Sequence, residues 1–473
     1  MAKIKVALIN PGKSARYAVQ EPLGIGFIAA YLEKYGYELR IIDQLAGEDV
    51  EQELKTFKPQ VAGITATTPV VYDAYEVAAL AKKMGILTVI GGAHASIFPE
   101  EAREHVDIVV KGEGEKTMLE ILQKNITSGI LTGEVINNLD EIPFPARHLM
   151  KMDRYLYCKR KVPYIGQLPY ISANKRIVHM LTSRGCPHGK CIFCHNTWKN
   201  MAYRMDSPEK TVAEIKELWE TYKIDAIDFV EDDFFADKER VVKLCELIIK
   251  NKLNHILWDG TSRVNHIEDI EVLKLAREAG CRSITLGIES ASPRILEILK
   301  KGITPEDAKR AISTIKKAGI IAHGNFIIGN PTETLEDIEM SKKFIKETKL
   351  TTPEVYLFTP YPGSESWNNF KKQGLLPEKN DWSMYNQERL IVNATNIPTE
   401  QLESLRAEIY MSYFLRDPKR AFAIIFTSLI YSDAFFEKAV NTLAPTFKKY
   451  MRKIFPFLKK RNPSCEDGRG KEQ

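Results

Sequence analysis

Residues 177–198 read IVHMLTSRGCPHGKCIFCHNTW. A short apolar run ends at Thr182, and Cys186, Cys191 and Cys194 follow within nine positions, three of the chain's seven cysteines. A run of this kind reads as a buried strand, so the thiols fall in the loop at its carboxyl end. Clustered thiols serve either a structural metal site or an iron–sulfur cluster, since both need several soft anionic ligands at once. A closed zinc site would have to recruit His188 or His195 as a fourth ligand, and no second CxxC or HxxxH stands elsewhere in the chain. A four-iron cluster on three cysteines keeps an iron open, a place for a substrate to bind. The remaining cysteines, Cys158, Cys245, Cys281 and Cys465, are scattered, which argues for a reducing compartment and against a disulfide framework.

Outward from this loop the chain alternates. The apolar segments IVHMLTS, AIDFVE, HILWDG, SITLGIE, IAHGNFIIG and EVYLFTP are separated by helical patterns at 208–222, 238–250, 267–279, 305–318 and 335–347. Strand–helix units in such a row predict a (β/α)6 partial TIM-type barrel over 177–375, with its active site at the strands' carboxyl ends. The cysteine loop, directly after the first strand, lies at that end.

Upstream, IKVALIN, ELRIID, VAGIT, ILTVIGG and DIVVKG alternate with helical stretches at 24–35, 72–83 and 115–122. This pattern predicts a Rossmann-like doubly wound parallel sheet over 1–140. Small and polar residues gather where such a sheet holds its ligand: Thr65, Thr67 and Thr68, then Gly91, Gly92 and His94, then Gly112, Glu113 and Gly114. Each alone could be an ordinary turn residue; several such loops at one edge form a candidate binding surface. No GxGxxG follows the first strand, so a dinucleotide fits poorly. Two prolines in LDEIPFPARHLM (139–150) mark a linker over 141–176, a helical region is expected over 376–461, and the polar segment 462–473 is expected to be disordered.

The whole chain is α/β in class and ordinary in composition, 44% hydrophobic and 27% charged. Its formal charge of +5 on 67 basic and 62 acidic residues gives no ground for nucleic-acid binding. The amino terminus carries no signal-peptide pattern, so a cytoplasmic location is expected. AFAIIFTSLIY (421–431) is too short to span a bilayer. TFKKYMRKIFPFLKKR (446–461) mixes aromatics with cations, as a peripheral membrane helix does and as a helix packed on the barrel also would.

The run SRGCPHGKCIFCHN resembles the cluster loop of the radical S-adenosylmethionine superfamily. VEDDFFAD (230–237), LGIESASPRILEILKKG (286–302), GNFIIGNPTET (324–334) and FTPYPGSESW (358–367) resemble strand-end motifs of the branch with an amino-terminal cobalamin-binding domain, and GGAHAS, KGEGE and IPFPAR agree. The resemblance covers roughly residues 3–375. It implies a [4Fe-4S] cluster on Cys186, Cys191 and Cys194, with S-adenosylmethionine and cobalamin as further cofactors. Glu289 and Ser290 become candidates to contact the ribose or methionine part of S-adenosylmethionine, and Arg263 to pair with its carboxylate. Glu231, Asp232 and Asp233 are open between cofactor contacts and helix capping, and Arg263 between that carboxylate and a surface ion pair.

The resemblance further implies methyl transfer to an unactivated carbon or phosphorus of a small-molecule or lipid-like substrate, with cobalamin supplying the methyl group and a donor such as ferredoxin or flavodoxin supplying electrons. Radical cyclisation or rearrangement without methylation is the alternative, and a zinc-stabilised binding protein the alternative from another class. The sequence departs from the family in two ways. Four residues, not three, separate Cys186 from Cys191, and Gly189 could absorb the extra one with a positive φ. No Asp-x-His-x-x-Gly follows the first strand, so cobalamin should bind with its lower base detached and no histidine on cobalt, His94 being the only rival.

Overall fold

The computed structural model describes residues 4–12, 20–156, 175–195, 202–386 and 390–416. The amino-terminal part runs β1 (Lys5–Asn10), α1 (Leu23–Glu33), β2 (Glu38–Asp43), α2 (Val50–Phe57), β3 (Val61–Thr65), α3 (Val71–Lys83), β4 (Leu87–Gly91), α4 (Ala93–Ile97), α5 (Pro99–His105), β5 (Ile108–Lys111), α6 (Glu115–Lys124) and β6 (Gly129–Thr132). All six strands are parallel, in the order β2-β1-β3-β4-β5-β6. The order reverses between β1 and β3, which places the ligand crevice at their carboxyl ends. Leu8, Val61, Val89, Ile108 and Val110 on one face pack with residues of α1 and α6, and Ala7, Ile9, Ala62, Ile64 and Ile90 on the other with α3 and α5. Burial of both faces is why these strands read as nearly continuous apolar runs.

The second sheet belongs to the partial barrel. It is built from β7 (Ile177–Met180), the short antiparallel pair β8 (Ser183–Arg184) and β9 (Arg204–Met205), α7 (Pro208–Tyr222), β10 (Ala226–Phe229), α8 (Lys238–Lys250), β11 (Leu257–Arg263), α9 (Ile270–Glu278), β12 (Cys281–Glu289), α10 (Pro293–Ile298), α11 (Pro305–Lys317), β13 (Ile321–Ile328), α12 (Leu335–Thr348) and β14 (Thr352–Leu357). The order β14-β13-β12-β11-β10-β7 leaves β7 and β14 as edges, so the barrel does not close. Helix boundaries follow from capping: Ser207 and Asp237 accept hydrogen bonds from the Lys210 and Arg240 backbone N–H groups, and Thr304/Asp307 and Thr334/Asp337 form capping boxes.

Val178, Ile227, Trp258, Ile284 and Ala322 join the helix-side core. The opposite face carries His179, Asp228, Asp259 and Ser283 side by side in register. The barrel's inner face is therefore polar.

Beyond the barrel, α13 (Glu365–Lys372) is followed by a return to the amino-terminal domain. Trp382 and Tyr385 pack in the same core as Val71 and Ala74. In the region expected to be helical, a 3-10 turn at Trp382–Met384 and α14 (Thr399–Arg416) are the helical elements among the described residues. No helix among the described residues is long and apolar enough to cross a membrane. The 446–461 segment, the expected disorder of 462–473, and Cys158 and Cys465 lie outside the described residues.

Candidate active site

The cysteine loop leaves β7 at the top of the barrel and is clamped by backbone hydrogen bonds: Ile192 N–H to Leu299 O at 3.2 Å and Ser366 N–H to Ile192 O at 3.0 Å. His188 Nε2 donates to Lys300 O at 2.8 Å. Gly189 has φ +55° and Gly185 φ +90°, so the extra residue between Cys186 and Cys191 is taken up at a glycine, where the left-handed region costs least. The three thiols lie within electrostatic reach of one another. Burial, then Asp232, then Cys191 and Cys186 push the Cys194 thiol up to about 12. Burial also raises that of Cys191, against the pull of Lys301 and Arg263. Among the described residues no three His, Cys, Asp or Glu side chains converge as ligands of a single ion; thiolates that each bind a separate iron of a cluster need not converge in that way.

Beside the loop stands a buried cationic corner. Arg263 is 5% exposed, which removes the surface-ion-pair reading. Its Nη1 lies 4.0 Å from Cys191 Sγ, its Nη2 donates to Lys301 O at 2.7 Å, and its backbone N–H donates to Asp233 Oδ1 at 3.2 Å. Lys301 Nζ is 2.8 Å from Glu289 Oε1, and Glu289 adopts φ +66° at a register shift in β12. A non-glycine residue in that region at a strand end is strain of the kind that functional sites hold. Ser290 is turned away, accepting from Ser292 N–H at 3.1 Å and lying 3.5 Å from Ser341 Oγ.

The acidic run at the end of β10 divides its labour. Glu231 accepts from Thr182 N–H at 2.8 Å, from the Thr182 hydroxyl and from Ser183 Oγ at 2.8 Å, tying the tops of β7 and β10 together. Asp233 accepts from Ser262 Oγ, the Arg263 backbone and His266 Nδ1, the last at 2.8 Å. Asp232 alone faces the cavity that opens beside the cluster loop.

That cavity, about 330 Å³, lies between the two domains. Its walls include six of the residues expected from the first sheet, Thr65, Gly91, Gly92, Gly112, Glu113 and Gly114, and across from them Ser183, Arg184, Gly185 and Asp232. A Cβ on Gly92 would stand 2.8 Å from Ala66 O at φ +96°, so backbone alone fits there. Thr67, Thr68 and His94 are not in its walls. His94 is 0% exposed, its Nδ1 is 3.3 Å from Thr68 Oγ1 and its Nε2 3.3 Å from Glu101 Oε1, and its ring packs on Trp382, Phe98 and Tyr75.

Two features escaped the sequence. Arg184 joins the domains, 3.0 Å from Glu113 Oε1 and 2.5 Å from Glu115 Oε1, over the Phe27 ring, while Arg204 Nη2 donates to Glu113 Oε1 at 2.7 Å. Lys301 is the other; it stands beside Lys300 in the 286–302 motif, and nothing local marks it out.

An unclosed parallel barrel with a three-cysteine loop on its first strand, facing a ligand-binding sheet edge across one cavity, defines a two-domain radical enzyme that carries a cluster on one domain and a large cofactor on the other. The family model "Radical SAM superfamily" matches residues 180–345, and "B12 binding domain" matches residues 14–122. An uncharacterised methyltransferase of Pyrococcus horikoshii is 36% identical over 423 residues, 84% of this chain and 88% of that protein. The anaerobic magnesium-protoporphyrin IX monomethyl ester cyclase of Rubrivivax gelatinosus is 30% identical over 399 residues, 77% and 68% of the two chains. Among solved structures, the cobalamin-dependent S-adenosylmethionine radical enzyme OxsB, with aqua-cobalamin and S-adenosylmethionine bound, shares the fold at a TM-score of 0.71 and 16% identity, over 97% of this chain and 75% of that one. The chain belongs to the radical S-adenosylmethionine enzymes that carry a B12-binding domain.

Proposed function

We propose that the enzyme is a cobalamin-dependent methyltransferase acting on an unactivated carbon or phosphorus centre of a small molecule. The observation that carries this reading is one cavity walled by the glycine-rich edge of the first sheet and, across from it, by Ser183, Arg184 and Gly185, directly before Cys186, with Asp232. A cluster held by that loop and a methyl donor held by that edge would stand on opposite sides of this space. When bound, S-adenosylmethionine at the cluster supplies a 5′-deoxyadenosyl radical, and cobalamin supplies the methyl group.

The protein's part is positional. Cys186, Cys191 and Cys194 would hold the cluster, and Arg263, braced by Asp233 and Lys301 with its guanidinium beside Cys191, would pair with a carboxylate of the cofactor. Glu289 holds Lys301 and with it the floor of that corner. Thr65, Gly91, Gly92 and the 112–114 loop would line the cobalamin side. His94, with both ring nitrogens engaged by Thr68 and Glu101, would not be offered to a bound cobalamin as a cobalt ligand.

The test is anaerobic reconstitution followed by quantification of iron, sulfide and cobalt, and of the two products of S-adenosylmethionine. Methyl transfer yields 5′-deoxyadenosine together with S-adenosylhomocysteine. Radical cyclisation, the reading favoured by the cyclase relative alone, yields 5′-deoxyadenosine without it. Two parts of the proposal rest on sequence alone: a ferredoxin or flavodoxin as electron donor, and contact of 446–461 with an anionic membrane surface.

A further inference from the structure

The barrel's inner face is tied to the first domain by a buried polar contact away from the cysteine loop. Glu21 stands in the segment just before α1, and His179 is on β7. Glu21 Oε2 and His179 Nδ1 are in hydrogen-bond contact, and the two residues are 4% and 2% exposed. The other ring nitrogen, His179 Nε2, lies 3.6 Å from Asp228 Oδ2 on the neighbouring strand β10. One imidazole therefore stands between a carboxylate of the first domain and a carboxylate of the barrel. Arg147 holds the backbone at the same point, donating from Nη2 to His179 O at 2.9 Å. Asp259 and Ser283 continue the row in register. Burial first, then Asp228, push the Asp259 carboxyl well above the usual carboxylate range, so Asp259 is held as the neutral acid.

Ionisable groups are costly to bury at such a seam, where hydrocarbon of similar volume often packs as stably or better. What a hydrogen-bonded row adds is register: apolar surfaces tolerate sliding, and an imidazole bonded on both sides does not. The register fixed here is that of the cavity. Directly beyond Glu21, α1 supplies Gly24, Ile25 and Phe27 to the cavity wall. Directly beyond His179, the chain runs into Ser183, Arg184 and Gly185 of the barrel's wall and then into Cys186. On the cavity side the Arg184 guanidinium lies 5.5 Å from the centre of the Phe27 ring, joining the same two segments a second time.

We infer that the Glu21–His179–Asp228 row is a registry pin, and that His179 is a positioning residue which fixes the cluster loop of the barrel relative to the cofactor-binding edge of the first domain. The inference rests on the two-cofactor reading above and adds the residues that set the separation of the two centres. The pin acts through α1 and β7 and touches neither cofactor. Displacing reacting groups by about 1 Å can cost roughly a hundredfold in rate, which gives a rigid, directional contact its use at this seam.

The experiment is pulsed dipolar electron paramagnetic resonance between the reduced cluster and Co(II) cobalamin in the reconstituted full chain. The wild type should give one narrow distance distribution. His179→Leu should broaden or shift it at unchanged iron, sulfide and cobalt content, and His179→Gln, whose amide N–H can still donate to Glu21, should restore it. The double variant Glu21→Leu/His179→Leu leaves no stranded carboxylate on the first domain's side, so it should melt at or above the wild-type temperature and still broaden the distribution. A contact that merely stabilised the fold would leave that distribution narrow. A narrow, unshifted distribution in the double variant overturns the inference and leaves the proposed function standing. A double variant that fails to fold marks the row as a folding requirement and overturns the inference as well. Wild-type protein that takes up the cluster and no cobalamin overturns both.

Discussion

At the level of single residues, the cysteine loop and His94 make the sharpest statements. Replacing Cys186, Cys191 or Cys194 by Ala should abolish iron binding, since two thiolates cannot hold the cluster. Cys245→Ala and Cys281→Ala, in the helix-side core, should keep full iron content and lose only packing; iron and sulfide assays after reconstitution distinguish them. His94 tests the cobalt assignment. Co(II) paramagnetic resonance of the wild type should show no nitrogen superhyperfine splitting, and His94→Ala should leave the spectrum unchanged; splitting lost in the variant would reverse the assignment. Burial holds the His94 ring below its ordinary pKa, although Glu101 opposes the shift. An unfolded chain then binds more protons than the folded one below the usual histidine range. Stability is full above about pH 6.5 and declines as the pH falls beneath it. Thermal melts of wild type and His94→Gln from neutral to mildly acidic pH should converge as the pH drops. The loop residues were legible because their spacing is local. Lys301 and the locked state of His94 were not, because burial and partners come from segments distant in the chain.

Between elements, the link from the 112–115 loop to β8 is the feature to probe. Glu115 and Arg184 lie 69 positions apart in the chain, and their ion pair is largely buried, with side-chain exposures of 4% and 13%. Removing one partner of a buried pair strands the other's charge, at a cost of about 3–5 kcal/mol. Arg184→Gln should therefore destabilise strongly, and the double variant with Glu115→Gln should recover part of the loss, a non-additive cycle readable by chemical denaturation. Burial opposes ionisation of Glu113, but Arg204 and Arg184 outweigh it and hold its carboxyl below the usual range. Its contribution is thus complete near neutral pH and is lost only in acid, as the pH passes down through that lowered value. Most helices were readable from periodicity and caps. The short elements, such as β6, β8, β9 and α10, were not, since two to six residues carry too little period to detect.

Over the whole molecule, the domains are sewn together at several points. Arg147 Nη1 donates to Glu214 at 2.6 Å, the Tyr155 hydroxyl to Asp43 at 2.6 Å, and Trp382 Nε1 to Glu101 at 3.0 Å. One core cluster contains residues from both sheets. A single cooperative transition is expected in calorimetry, and Trp382→Ala, which opens the cage around His94 and Trp367, should cost about 3–5 kcal/mol while leaving one transition; two separated transitions would refute the shared core. By itself the amino-acid sequence determined the two parallel α/β units, the place of the cysteine loop after the barrel's first strand and the glycine-rich edge, because hydrophobic period and turn chemistry are local properties. Only the tertiary structure decided that Glu231, Ser290 and His94 are locked in packing and that Arg184 bridges the domains. Each of these depends on which distant side chains share a volume, and local periodicity carries no record of that.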